Sequence, residues 1–347
     1  FRLGLKIQKE VLRVKVYEIN SNGGIDALAM GPRAEPVPGP GEVLVRVRAS
    51  SVNYRDLSTI ENPEARNITY PRIPNSDGAG EVLAVGDGVT RIRPGDRVAA
   101  TFFQRWVDGA ITPAAMASAL GGPVDGMLAE QVVLNQHGLV AIPSHLSYSE
   151  AATLPCAALT AWNSVVEQGH VKAGDTLLLL GTGGVSIMAL SFATLLGARV
   201  IITSSSDEKL DKAEAFGAWQ TINYRRTPDW ERVVLELTDG RGVDHTVETG
   251  GPGTLEQSIG ATRVAGSIGL IGVLTGGRID PVMIMRKSIR LQGIYVGNRR
   301  MFEDMNRAIS HHGWKPVIDQ TFDFEDAKDA YRAMRAAAHF GKLVIEV

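Results

Sequence analysis

The chain has 347 residues, 44% of them hydrophobic and 21% charged, a composition that fits a packed protein and excludes a disordered or collagen-like one. Its formal net charge of -2, with no dense Lys/Arg block, excludes a surface that tracks nucleic acid. The single cysteine, Cys156, excludes an internal disulfide and a cysteine-clustered structural zinc, and a reducing, cytoplasmic setting is expected.

No apolar run approaches the ~20 residues that cross a bilayer, so no membrane span is expected. The start, from Phe1 to Val14, alternates basic and apolar residues without the apolar core or cleavage site of a signal peptide. It reads as a truncated or added beginning.

Strands punctuated by turns follow. Glu42-Val43-Leu44-Val45-Arg46-Val47-Arg48-Ala49 alternates with period two behind a turn-rich lead-in, residues 36–41. Residues 78–86 form another strand, and Arg93-Pro94-Gly95-Asp96 turns into a third at residues 97–99. This front part is a β-rich unit. Beyond residue 149 the pattern becomes strand, glycine turn, helix, strand. Residues 176–180 are an apolar run suited to a central parallel strand covered on both faces. Val185, Met188, Ala189, Phe192 and Leu196 recur at helical spacing until Gly197, and residues 199–203 restore a strand. Further strands are expected over residues 243–248, 267–273 and 289–295, helices over 302–311 and 331–338, and a last strand over 341–347. The fold class is α/β: a β-rich domain plus a doubly wound parallel sheet.

Gly181-Thr182-Gly183-Gly184-Val185-Ser186 leaves a buried strand and opens a helix, the context that makes a glycine motif a phosphate cradle. Glycines let backbone approach a pyrophosphate, and free amides at the helix start hold its charge. Ser186 stands where the full fingerprint has a third glycine. At the tip of the second strand, Thr203-Ser204-Ser205-Ser206-Asp207-Glu208-Lys209 offers hydroxyls instead of the acidic residue that selects NAD(H). Ser204, Ser205 and Lys209 can bind a 2'-phosphate and Tyr224 can stack or donate, which favours NADP(H) while leaving NAD(H) open. Alternatively the serines cap a helix and Lys209 is a solvated charge.

With these motifs in place the chain resembles the medium-chain dehydrogenase/reductase superfamily, and most closely its zinc-free quinone oxidoreductase branch. The resemblance is carried by Pro38-Gly39-Pro40-Gly41-Glu42-Val43-Leu44-Val45, Ser51-Val52-Asn53-Tyr54-Arg55-Asp56, Gly78-Ala79-Gly80-Glu81-Val82, Pro94-Gly95-Asp96-Arg97-Val98, the cofactor turn and Phe340-Gly341-Lys342-Leu343-Val344. It implies a GroES-like catalytic domain over residues 1–139, a Rossmann domain over 140–298 and a C-terminal return, 299–347, with the active site in the cleft between domains. It also implies a homodimer that pairs through the last Rossmann strand, the run opening at Ile289 and closing at Val296.

Zinc-dependent members of that superfamily place a cysteine where this chain has Asn53, a His-Glu pair where it has Ser76-Asp77, and a second cysteine or an acidic residue near Cys156. Only Cys156 matches, and the structural-zinc cysteines are missing between Phe102 and Glu130. No zinc is expected, and Cys156 reads as a buried small hydrophobe. The seven histidines show no metal-ligand spacing. Without zinc and without a Tyr-x-x-x-Lys pair, alcohol oxidation lacks an alkoxide stabiliser. Hydride transfer to a quinone or α,β-unsaturated carbonyl needs only a hydrogen-bond donor at the oxygen.

The resemblance puts Asn53, Tyr54 and Asp56 at the cleft floor, with Tyr54 as donor and the other two positioning it or the nicotinamide ribose. It puts Thr160, Gly250, Gly272 and Val273 against the nicotinamide. The loop Thr101-Phe102-Phe103-Gln104-Arg105-Trp106 reads equally as a substrate wall or a buried plug. A metal-independent alcohol dehydrogenase and a non-catalytic nucleotide-binding protein are the rival readings.

Overall fold

Residues 13–347 are described by a computed structural model; the expectation for the start of the chain falls, for residues 1–12, outside them. The strands in chain order are β1 (Arg13–Glu18), β2 (Ala29–Ala34), β3 (Glu42–Val52), β4 (Asp77–Val85), β5 (Arg97–Ala100), β6 (Gln131–Asn135), β7 (Leu139–Ala141), β8 (Thr176–Leu180), β9 (Arg199–Ser204), β10 (Gln220–Asn223), β11 (Val243–Glu248), β12 (Thr262–Leu270), β13 (Arg290–Gly293), β14 (Ile318–Asp323) and β15 (Lys342–Glu346).

The β-rich part is a seven-stranded sheet ordered β14-β15-β3-β4-β5-β7, with β6 also paired to β3. β15 enters it antiparallel to β3, placing Leu343 opposite Val52 and Glu346 opposite Ala49. The chain's last strand therefore completes the sheet begun some 290 residues earlier, and Lys342 lands beside Asn53. Alternation in β3 puts Val43, Val45 and Val47 into one core, as its period-two pattern requires.

The second sheet has the order β10-β9-β8-β11-β12-β13, and every pair in it is parallel. β8 lies between β9 and β11 and is buried at every residue, so its run of leucines is covered on both faces. The crevice above the carboxyl ends of β8 and β11, where the strand order reverses, is where such sheets hold ligands.

Three of the differences from the sequence expectation have a visible cause. β12 opens at Thr262 and ends at Leu270 instead of spanning residues 267–273. The chain leaves the sheet there because the Ile271 and Gly272 amides turn to the Glu248 carbonyl, each at 2.9 Å. β13 spans only Arg290–Gly293, and Val296 sits at φ 57°, which no strand accommodates. The expected helix at residues 331–338 spans Ala327–Ala336; it starts early on the 3-10 turn Phe324–Asp326 and stops because Ala337 is left-handed, φ 53°. Among the described residues no helix is long and apolar enough to cross a membrane.

Candidate active site

Each glycine of the cofactor turn is required for a separate reason. Gly181 leaves β8 at φ +71°, a left-handed value that side chains resist. Gly183 precedes the helix Gly184–Leu195 in extended conformation, and a Cβ built on it meets nothing within 4 Å. That open space in front of the helix amides is where a pyrophosphate fits. Gly184 is hemmed in from behind, since a Cβ there would stand 2.7 Å from Lys342 Cδ and 3.2 Å from Ala157 Cβ. Thr182 and Val185 complete the turn; the Thr182 carbonyl accepts the Gly341 amide at 3.2 Å, tying the turn to β15. Ser186 donates to the Leu180 carbonyl at 2.6 Å, so a hydroxyl at the third fingerprint position locks helix to strand without adding bulk.

At the β9 tip the hydroxyls divide their work. Ser206 caps the helix Asp207–Ala215 by accepting the Lys209 amide, and the buried Ser204 accepts the Ser206 amide at 3.3 Å. Ser205 is left part-exposed beside them. Lys209 sends its amine 2.8 Å to the Ala337 carbonyl, so it is not a freely solvated charge. The nearby carboxylate of Asp207 is engaged by Arg226, at 2.5 and 2.7 Å, and by Asn223 at 2.7 Å. Tyr224 follows, largely exposed.

Sequence reasoning missed the residue that shapes the loops after β11 and β12. Glu248 is fully buried, and its Oε1 accepts the amides of Gly250 and Gly251 at 2.7 and 3.0 Å and the Thr254 hydroxyl at 2.8 Å. Ser258 donates to the other oxygen. Gly272 then packs so tightly that a Cβ would lie 2.3 Å from the Thr249 carbonyl carbon. Gly250 and Gly272 are thus brought together, whereas Val273 points outward, 69% exposed. Thr160 is buried in a short helical stretch, Leu159–Trp162, between π-helical turns at Leu154–Ala158 and Asn163–Gln168.

Beneath the cofactor turn lies a buried polar cluster drawn from four segments. Lys342 follows Gly341, which is bridged to Gly183; its amine donates 2.6 Å to Asn53 Oδ1 and 2.6 Å to the Val52 carbonyl. Asp56 accepts the Asn53 amide at 2.9 Å, the Ser76 amide at 3.2 Å and Arg55 at 3.0 Å. It therefore caps the helix Tyr54–Glu61 and positions the floor instead of facing the cleft. Asp77 accepts the Ser76 hydroxyl at 2.7 Å and the Cys156 amide at 3.0 Å. Burial raises the Asp77 carboxyl to about 6; Asp56 adds to the rise, while Lys342 and hydrogen bonds from Ser76 and Asn53 oppose it. Burial also lowers the Lys342 amine, against the pull of Asp77, Cys156 and Asp56.

Tyr54 stands 45% exposed at the mouth, next to the 7% exposed Asn53. Phe102 and Phe103 are buried, packed on each other at 4.6 Å and on Tyr295 at 6.0 and 4.9 Å. The aromatic loop is thus a plug between the two sheets, with the half-exposed Tyr295 as its outer edge. Cys156 is partly buried and packs against the core beside the cluster, its thiol pushed up first by burial and then by Asp77.

These donors do not suit a catalytic zinc. Such a site needs three ligands around a tetrahedral cation; here Cys156 is the chain's single thiol, and the Asn53 oxygen already faces an amine. Among the described residues no group of three His, Cys, Asp or Glu side chains is close enough to hold a metal.

Residues 39–144 match the family described as "Alcohol dehydrogenase GroES-like domain", and residues 184–311 match "Zinc-binding dehydrogenase". A "Zinc-type alcohol dehydrogenase-like protein" of Schizosaccharomyces pombe is 43% identical over 89% of this chain and 91% of its own length. The structure of a "putative Alcohol dehydrogenase" from Sinorhizobium meliloti is 41% identical, with TM-score 0.90 over 96% of this chain and 99% of that one. A structure described as "NAD-dependent alcohol dehydrogenase" is 32% identical, with TM-score 0.88 over 96% of this chain and 99% of the other.

Proposed function

Given that this chain belongs to the medium-chain dehydrogenase/reductase superfamily and is an oxidoreductase of that family, we propose that it reduces a quinone or an α,β-unsaturated carbonyl with NADPH and without a metal ion. The carrying observation is the Asn53, Asp77, Cys156 and Lys342 cluster: where zinc-dependent relatives need ligands it supplies an amide, a carboxyl and a single thiol around an amine. With its pyrophosphate on the glycine turn, a reduced nicotinamide cofactor would supply a hydride for the substrate's β-carbon, so that charge would develop on the carbonyl oxygen.

The chain's own groups then handle charge and protons. Asn53 Nδ2 and the Tyr54 hydroxyl are the donors available to the developing enolate oxygen. Asp56 and Arg55 hold the Asn53 backbone in place, and water at the open mouth returns the proton. Alcohol oxidation, the activity in the names of the similar proteins, would need a base or Lewis acid at the hydroxyl, and the buried Asp77, already accepting two hydrogen bonds, is poorly placed for that task.

Preference for NADPH rests on the β9 tip. Its two near carboxylates are both paired, Asp207 with Arg226 and Glu208 with Lys212, which leaves Ser205 and Tyr224 to meet a 2'-phosphate. Two copies pair along the open edge of β13, in a cytoplasmic protein whose single thiol suits a reducing compartment. The test is NADPH oxidation against 1,4-benzoquinone and cyclohexenone, with primary and secondary alcohols plus NADP in reverse. Turnover of the enone or quinone with negligible alcohol oxidation is expected; the opposite order would refute the proposal, and tight NADPH binding with no turnover at all would favour a non-catalytic protein.

A further inference from the structure

The reduction chemistry above leaves one buried cation without a role. Lys342 is 2% exposed, and its stem is fixed from both sides, by Gly184 at the cofactor turn and by its own amide bonded 3.1 Å to the Val317 carbonyl. Its amine makes two short bonds of 2.6 Å, to the Val52 carbonyl and to Asn53 Oδ1. The groups that face it come from every element around it: Asp77 from β4, Asp56 from the Tyr54–Glu61 helix, Cys156 from the π-helical turn, and His339 from the approach to β15. Arg55, the nearby guanidinium, is committed to Asp56 and to the Leu120 and Gly121 carbonyls.

We propose that Lys342 is the fixed cation of the active site: bonded at 2.6 Å to Asn53 Oδ1, it polarises the Asn53 amide so that Nδ2 stabilises the charge arising on the substrate's carbonyl oxygen. This rests on the reductase reading above. An amide whose oxygen accepts from an ammonium shifts its electrons toward that oxygen, and its N–H bonds become stronger donors. Asn53 Nδ2 turns one hydrogen to the Asp77 carboxylate and to a contact of 3.5 Å with Ser76 Oγ; an amide nitrogen carries two hydrogens, and the second is the strengthened donor left for a substrate. In a site with little water the field of the ammonium is screened far less than in solution. No bond to Lys342 forms or breaks. It is a positioning residue acting through Asn53, unchanged from one end of the reaction to the other.

Lys342→Met keeps the stem and removes the charge. With the fold checked by thermal melting, NADPH affinity measured by nicotinamide fluorescence should stay near wild type. With cyclohexenone as substrate, kcat should fall on the order of 100-fold, the scale of losing one oxyanion donor, while KM changes little. Asn53→Ala should lose a similar factor, and the double variant should be no worse than the weaker single one, because the two residues act in series. In infrared difference spectra the bound enone's carbonyl stretch should move back toward its solution value in Lys342→Met. An unchanged kcat, a loss confined to NADPH affinity, or fully additive losses would overturn the inference. Should Lys342→Met fail to fold, Lys342→Arg keeps the charge and must remain clearly more active than Asn53→Ala; equal inactivity would overturn the inference as well. A wild type that binds NADPH but reduces neither enone nor quinone ends the reductase reading itself, and this inference falls with it.

Discussion

Gly183 and Gly184 are neighbours with opposite surroundings, and their substitutions should separate binding from folding. At Gly183 the backbone is extended and the space ahead is empty, so Gly183→Val is expected to melt close to wild type yet lose nucleotide affinity by at least tenfold, or about 1.4 kcal/mol. Gly184→Val drives a side chain into the Lys342 stem and Ala157, and overpacking of this kind costs about 1–3 kcal/mol. Denaturation and fluorescence titration of both variants check the pair. Asp77 offers a test by pH. Burial lifts its carboxyl from 3.8 to about 6, so between those values the folded chain binds more protons than the unfolded one. Stability from this group is complete below 3.8 and is lost as pH rises through about 6, on the order of 3 kcal/mol across the window. Asp77→Asn should remove that share, giving a flatter dependence between pH 4 and 6.5 in urea denaturation. An identical slope in the two proteins would mean that Asp77 is not desolvated.

Among the elements, β15 carries the most consequence, because its five residues and the Gly341 before them join three features: the sheet of β3, the glycine turn through Gly341, and the buried cluster through Lys342. Strand β13 matters for assembly. It is the outer strand of its sheet, only four residues long, with Arg290, Gln292 and Gly293 exposed. Unpaired edges invite another strand, and apolar Val282, Met285 and Tyr295 are exposed in the same part of the chain. Sedimentation at micromolar concentration should show twice the chain mass; a monomer would remove the proposed pairing. The strand's shortness was hidden in the sequence because Ile294, Tyr295 and Val296 have strong strand propensity, yet tertiary packing turns Val296 to positive φ and buries it. Likewise the helix Ala327–Ala336 is set by its end at Ala337, which no glycine announces.

Over the whole molecule, what could be read in the sequence was whatever depended on nearby residues. The turn from Gly181 to Ser186, the β8 leucines and the period-two pattern of β3 are local signals, and each sits where it was expected. The surroundings of the candidate site were legible in part: the sequence singled out Asn53, Gly250 and Gly272, whereas the contacts of Lys342, Asp77 and Glu248 lay beyond it. Lys342 meets Asn53 across 289 residues and Asp77 meets Cys156 across 79, and no spacing rule spans such distances. Glu248 at the end of a buried strand resembles any strand-terminal acid until the Gly250 and Gly251 amides are seen on it. A clue did exist: Lys342 is the one charged residue inside an otherwise apolar start of the last strand, Lys342-Leu343-Val344-Ile345, and a buried lysine needs partners.

The central claim is hydride transfer assisted by a side-chain cation instead of a metal. Its most direct test measures NADPH-dependent reduction of cyclohexenone and zinc content on the same sample, before and after dialysis against a strong chelator. Unchanged turnover with zinc far below one per chain is the predicted result. One tightly held zinc per chain, with activity that disappears when it is stripped and returns when it is restored, would contradict the account.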